Sequence, residues 1–321
     1  MKLFLFSFIF FSSIVFADAQ ETFFKLKSVN QFWRQLIDGK DQMYGERVYD
    51  EGFHGGHVEP GFLQGATEAS DAAPELFPDN LSLDAYVALH TKATAYQAKE
   101  KPKGSGFFAT IPPDPNGPRI KEVHESLSKD QFKWMAELSN ISGGNLEQCH
   151  TNVRALSDAM ASKYNNEQPI HRIELENSHL IINFLPSNNI ANIADKIFDD
   201  FNKNQNKNIE LISQLYRELE LLHYFQDGNT RTNLILMNWL LAREGLNPVI
   251  LQEPALPIFL TQEQSIKLLQ DGMEEWRKEA TEQNQERHDK QAQVLKEKQD
   301  DKKRMEELKQ QFMKKMSIKF N

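Results

Sequence analysis

Apolar and polar positions change their period several times along the chain, and the changes mark out its elements. From Gln20 to roughly Ser126 the pattern is broken by glycine, proline and short polar stretches, among them Glu51 to His57 and Ile111 to Pro118, so loops are expected to dominate there. Within that stretch, Phe32 to Ile37 and Leu81 to Tyr96 carry amphipathic helical spacing, the second opened by Ser82 as a cap with Asp84 in its first turn. Beyond Ser128 the character changes. Lys129 to Leu138 and Leu146 to Tyr164 have apolar residues at helical spacing, separated by the breaker Ser142-Gly143-Gly144. Arg172 to Leu175 and His179 to Leu185, joined at Asn177-Ser178 and ended by Pro186, have the alternation and branched content of a β-hairpin.

Three helices are then predicted, over Ile190 to Phe201, Ile209 to Tyr224 and Thr230 to Glu244, with Gly245 as the natural stop of the third. A last helix opens at Thr261 or Glu263 and runs into a tail of mixed charge from Glu274 to Lys319. In that tail Met305, Leu308, Phe312 and Met316 form a thin stripe, which suits a solvated extension or a helical partner. The fold class expected is all-α with one small hairpin, divided into a leader (1–19), an irregular, partly helical N-terminal region (20–127), a main domain (128–272) and a charged extension (273–321).

The leader changes the picture most. Lys2, the apolar run Leu3 to Phe16 and the small residues Ala17 and Ala19 have the order of a secretory signal peptide, so the mature chain is expected to begin near Asp18 or Gln20. No later segment is long and apolar enough to cross a bilayer, and after cleavage a soluble secreted or periplasmic protein without a membrane partner is expected. A formal net charge of −9 argues against a general nucleic-acid binder. With Cys149 as the one cysteine, an intramolecular disulfide is excluded, and a plain half-buried thiol is favoured over a nucleophile despite the neighbouring His150. His54 and His57, set among glycines, fit a loop better than a metal site.

Chemistry concentrates in His223-Tyr224-Phe225-Gln226-Asp227-Gly228-Asn229-Thr230-Arg231, between two predicted helices. A loop that leads into a helix start offers unpaired N–H groups at the positive end of the helix dipole, which is an anion site. Gly228 lets the backbone curl, Asp227 offers a hard oxygen ligand to Mg²⁺, and Arg231 can meet phosphate oxygens through two parallel hydrogen bonds. His223, at the end of the preceding helix, is placed to take a proton from an incoming hydroxyl.

These residues resemble the signature of the Fic family, His-x-Phe-x-Asp/Glu-Gly-Asn-x-Arg. Asn238, Arg243, Gly245 and Pro248 fall where similar proteins carry the same residues, and Glu176 to His179 before Pro186 resembles the family's flap, so the resemblance runs from about Lys129 to Leu269. It implies transfer of a nucleotide fragment, most often AMP from ATP, to a Ser, Thr or Tyr hydroxyl of a target protein. In that reading His223, Asn229 and Arg231 are catalytic: His223 is the general base, Asn229 and the turn's backbone steady the phosphoryl group, and Arg231 stabilises the departing diphosphate. Asp227 holds Mg²⁺; Phe225, Asp227, Gly228, Asn229, Thr230 and Arg231 bind the nucleotide; and the target lies along the flap, residues 172–185, as an added strand.

Three positions depart from the family pattern. Tyr224 replaces a usual proline and need only pack. Thr230 stands where the family usually has Gly, and a side chain there is expected to crowd the phosphates, or to strain the turn if φ is positive. Leu234 replaces a second Arg that typically meets the terminal phosphate and pairs with the glutamate of a Ser/Thr-x-x-x-Glu-Gly/Asn inhibitory helix; that helix motif is absent from the sequence as well. The joint loss implies either a domain unrestrained by its own inhibitory helix or a different diphosphate donor. A degenerate nucleotide- or partner-binding member, a phosphocholine transferase and an enzyme that removes AMP stay open beside AMP transfer. An exported enzyme of this kind needs a nucleotide-supplied destination, such as a host cytosol or a secretory lumen.

Overall fold

A computed structural model describes residues 32–51, 59–96, 146–176, 179–184, 190–225 and 228–280. The leader, His54, His57, the helix expected over 129–138, the hairpin turn at 177–178, Leu185 and Pro186, Asp227 and the tail beyond 280 lie outside these residues. The chain is mainly helical. Its longer elements are α1 (Phe62–Leu76), α2 (Leu83–Ala93), α3 (Leu146–Tyr164), β1 (His171–Glu176), β2 (His179–Phe184), α4 (Ile190–Lys203), α5 (Ile209–Leu222), α6 (Asn229–Arg243) and α7 (Gln262–Glu279). Short turns of helix lie at Phe32–Gln35, Gly39–Tyr44, Val48–Glu51 and Leu256–Phe259.

The centre of the fold is α6, buried at Asn229 and from Arg231 through Ala242. A helix buried on all sides needs other elements to wrap it, and here α1, α2 and α5 do so. The fully buried Trp239 donates its indole N–H to the Phe77 carbonyl at 3.2 Å, tying α6 to the end of α1. One apolar cluster runs from Leu36 to Leu269, so the N-terminal residues and the later helices share a core. Behind α6 the chain stops as its sequence dictates. Gly245 sits at φ 75°, with Gly245 N–H bonded to Ala242 O at 3.0 Å and Leu246 N–H to Leu241 O at 2.8 Å, the paired bonds of a left-handed helix stop. Asn238 then pins the next turn, accepting from Val249 N–H at 2.7 Å.

The N-terminal region is more helical than its breakers suggested. The sequence reading missed α1 because Gly61, Gly65 and Pro74 punctuate it and its buried stripe is small: Gly65, Ala66, Ala69 and Ala73. Smallness is what the packing needs. A Cβ on Gly65 would stand 2.7 Å from the Ala93 carbonyl oxygen, so α1 and α2 cross at backbone contact. The helix expected over Phe32 to Ile37 is a 3-10 turn, Phe32–Gln35. Ser82 caps α2 by accepting from Ala85 N–H at 3.2 Å, and Thr261 caps α7 in a reciprocal pair with Gln264. The hairpin pairs His171 with Phe184 through Glu176 with His179 in antiparallel register. Cys149 is buried rather than half-buried.

Candidate active site

Two helix ends meet here. Asn208 starts α5 by accepting from Leu211 N–H at 3.1 Å, and the helix stops two residues sooner than its apolar pattern suggested. His223 closes it in the left-handed region, φ 48° and ψ 56°, with its N–H on Leu219 O at 3.1 Å. That conformation costs a non-glycine residue about 1–2 kcal/mol and persists only where the surroundings impose it. The loop that follows supplies the constraint. Tyr224 and Phe225 are buried, and the Phe225 ring stacks on the His90 imidazole of α2 at 3.6 Å. The Asn229 side-chain amide accepts from Phe225 N–H at 2.8 Å and donates to Phe225 O at 2.7 Å, clipping the loop shut.

Gly228 opens α6 at φ 72° and provides no side-chain cap. A Cβ there would lie 2.7 Å from Thr94 Cγ2 and 3.3 Å from His90 Nε2, so both conformation and space demand glycine. The first amides of a long helix therefore begin at an uncapped turn at the positive end of the dipole. His223, Gly228, Asn229, Thr230 and Arg231 line one cleft of about 300 Å³. Its other wall comes from Leu36, Asp38, Tyr49, Glu59 and Phe62, with Leu234, Pro254 and Ala255 closing the end. Phe225 is not among the lining residues, and Asn229 spends its amide on the loop backbone, so both side chains serve the turn's shape.

Thr230 does not strain the turn. Among the described residues the non-glycine positions with positive φ are Asn166, Glu167 and His223, and Thr230 sits in the first turn of α6. Its hydroxyl donates to Glu220 Oε2 at 2.9 Å, away from the cleft. Glu220 Oε1 accepts from Asn233 Nδ2 at 2.9 Å, and Asn233 Oδ1 accepts from the Tyr86 hydroxyl at 2.5 Å. Burial raises the Glu220 carboxyl to about 7, with the hydrogen bonds from Asn233 and Thr230 acting against it.

Arg231 is engaged on three sides. Its Nη1 donates to the Ala93 carbonyl at 3.1 Å, its Nη2 pairs with the Glu59 carboxylate, and its guanidinium lies 3.8 Å over the Phe62 ring. Its Nε is buried without a hydrogen-bond partner. Glu59 is held for this role: its N–H bonds Tyr49 O at 2.9 Å, while the Asp50 carboxylate receives the N–H groups of Gly61 and Leu63 at 2.6 and 3.2 Å at the start of α1. The Tyr49 hydroxyl donates to Asp41 at 2.9 Å and is pushed far up by burial and by the acids Asp38 and Asp41.

A model of the Fic/DOC family matches residues 118–241. That segment is a Fic domain. Comparison with curated proteins gives no match. The Fic segment takes in the hairpin, α4, α5, the turn from His223 to Arg231 and most of α6, and a Fic domain suggests a Fic-type transferase in the general sense. It leaves out the wall that carries Asp38, Tyr49 and Glu59. Sequence reasoning missed those three residues and Glu220. The wall gave no local signal; Glu220 gave a weak one, an acid between Leu219 and Leu221 on a helix whose other residues there are core.

Among the described residues no group of three or more His, Cys, Asp or Glu is placed to hold a metal. Mg²⁺ in phosphoryl-transfer sites takes one or two carboxylates and completes its shell with substrate phosphates and water. Asp227, the residue expected to hold Mg²⁺, lies outside the described residues.

Proposed function

We propose that this Fic domain moves AMP, or another nucleotide-derived phosphoryl group, from a nucleotide donor to a Ser, Thr or Tyr hydroxyl of a target protein. The observation that carries the reading is the convergence of His223 with the uncapped start of α6 and Arg231 on one cleft. The His223 imidazole takes the proton of the target hydroxyl as its oxygen attacks the α-phosphorus. A new O–P bond forms, the α–β anhydride bond breaks, and its electron pair leaves with the diphosphate. Gly228 and the first amides of α6 receive the phosphoryl oxygens, and Arg231 meets the departing charge once it leaves Glu59. Asp227 would hold Mg²⁺ carried in with the donor, and the metal would supply charge neutralisation on the phosphates.

The target is proposed to add as a strand beside the β1–β2 hairpin, since a two-stranded sheet leaves an outer edge on each strand. Residues 1–19 are proposed to direct export, which N-terminal sequencing of protein recovered outside the producing cell tests directly. Engagement of Arg231 by Glu59 and Ala93 favours a second reading, a domain that binds a nucleotide or a partner without transfer. Incubation of the mature chain with Mg²⁺ and labelled ATP, UTP, GTP or CDP-choline, beside His223→Ala, separates the two. Transfer requires label on protein that disappears in His223→Ala; donor binding without label on protein favours the second reading.

A further inference from the structure

Thr230 and Glu220 are coupled in a way that bears on how the cleft takes an anion. Glu220 is a wholly buried acid in the last turn of α5, three residues before His223, and its hydrogen-bond partners are neutral. Thr230 lines the cleft in front of it and Asn233 lies in the next turn of α6. The donor order along this chain is set: Tyr86 O–H gives to Asn233, Asn233 N–H gives to Glu220, and Thr230 O–H gives to Glu220. Ionised Glu220 therefore holds the Thr230 hydrogen turned back from the cleft, and offers the cleft only the lone pairs of Oγ1. A phosphate at the α6 N-terminus would then face an acceptor, with a buried negative charge behind it.

Protonation reverses both effects. A neutral carboxylic acid can donate its own O–H to Thr230 Oγ1, which frees the threonine hydrogen to rotate into the cleft and meet a phosphate oxygen. The buried charge behind the helix start is removed in the same step. We propose that Glu220 and Thr230 form a positioning pair for the phosphate turn: a bound phosphate draws a proton onto Glu220, and Thr230 swings its hydroxyl from Glu220 to the ligand. The step balances, with one proton entering from solvent onto the carboxylate and one hydroxyl rotor turning. This inference rests on the reading of the turn as a phosphate site.

Other ionisable groups set the controls. Tyr86 on α2 and Tyr216 on α5 feel the Glu220 charge, and burial holds both hydroxyls well above their usual range, so they stay neutral. Asp38 reaches the same cluster through Tyr216. His223 would itself take up a proton beside an anion, so it is replaced by Asn, which is uncharged and tolerates the left-handed conformation.

The experiment is calorimetric titration of the His223→Asn chain with Mg·ATP near pH 7.5, in two buffers of different ionisation enthalpy, which reads protons taken up on binding. The expected result is uptake of a fraction of a proton and an affinity that rises several-fold from pH 8 to pH 6.5. Both should vanish when Glu220→Gln is added, shrink with Thr230→Val, and return with Thr230→Ser. Thr230→Val keeps the carboxylate in place, so it carries the test if Glu220→Gln does not fold. Equal proton uptake in the Thr230→Val and Thr230→Ser chains overturns the pair while leaving the phosphate site intact. Failure of Mg·ATP to bind the His223→Asn chain overturns the phosphate site and this inference together.

Discussion

The turn from His223 to Arg231 and the wall from Leu36 to Phe62 face each other across one cleft, yet they are encoded in opposite ways. The turn is local. His223 ends α5, Gly228 starts α6, and Asn229 clips the loop between them with bonds that span four residues. The wall is held by distant contacts: Glu59 reaches Arg231 across 172 positions, and Phe62 slides beneath the same guanidinium. On the proposed reading the turn carries the groups that act on a phosphate, and the wall holds one of them, Arg231, through Glu59. Substitutions that separate these two jobs are the sharpest way to challenge the division.

The largest effect is expected inside the turn. Gly228→Ala forces a Cβ into a left-handed position and onto Thr94 Cγ2 at 2.7 Å. Left-handed backbone costs about 1–2 kcal/mol and overpacking about 1–3 kcal/mol more, so a loss of about 4 kcal/mol is expected in denaturant titration. Adding Thr94→Ser removes the offending methyl and should return the steric share while the backbone share remains. If the double variant is no more stable than Gly228→Ala alone, the close approach is not what fixes this glycine.

Next in size is Glu220, behind the turn. Its folded carboxyl is raised above an unfolded value near 4.5, so the stability it contributes is fully present below about 4.5 and is lost as pH climbs through about 7. The wild-type chain should lose at most about 3 kcal/mol from this source between pH 5 and pH 8, and Glu220→Gln should lose none of it. Melting curves at the two pH values check this. A wild type and a variant that fall in parallel would mean that Glu220 titrates as an ordinary exposed acid.

Across the cleft, Glu59→Gln leaves the Arg231 guanidinium with the Ala93 carbonyl, the Phe62 ring and an uncharged amide. A stability loss of about 1–2 kcal/mol is expected. Donor binding should move the other way. If the wall restrains Arg231, Mg·ATP affinity measured by calorimetry should rise several-fold in Glu59→Gln despite the lower stability. An affinity that falls would make Glu59 a strut that holds Arg231 in its working place.

The contrast also explains what the sequence could tell. Signals that act within one or two turns of chain were readable: Ser82 and Thr261 as caps, Gly245 as a stop, the hairpin at His171–Phe184, and the meeting of two helix ends between His223 and Gly228. Signals that depend on what packs opposite were not. The stripe of Gly65, Ala66, Ala69 and Ala73 looks featureless until Ala93 lies against it, and Glu59 reads as one acid of many until Arg231 arrives. Thr230 misled in one respect for the same reason: its φ is not positive, so it does not strain the turn, and Glu220 beneath it gives the hydroxyl a partner that the sequence did not show. Even the end of α5 was overrun by two residues, because Tyr224 continues the apolar pattern while His223 breaks the backbone.

The smallest effect tests the end of the cleft where turn and wall come together. Leu234 stands one turn beyond Thr230 and Arg231 on α6, buried, and lines the cleft with Leu36 and Pro254. Leu234→Arg would bring a second cation toward a space that now has carboxylates from Asp38 and Glu59 and a single arginine already engaged by Glu59. Placing a long charged side chain in a buried position costs about 1–3 kcal/mol in folding, so the readout is the ratio of donors used rather than the total rate. With ATP as donor, a terminal phosphate can occupy the new guanidinium, and labelling from ATP should rise a few-fold against labelling from CDP-choline. With a donor that lacks a terminal phosphate, the added arginine has only Asp38 and Glu59 to meet and the ratio stays or falls. A rise in that ratio would make the apolar Leu234, at the end of the cleft, part of donor selection.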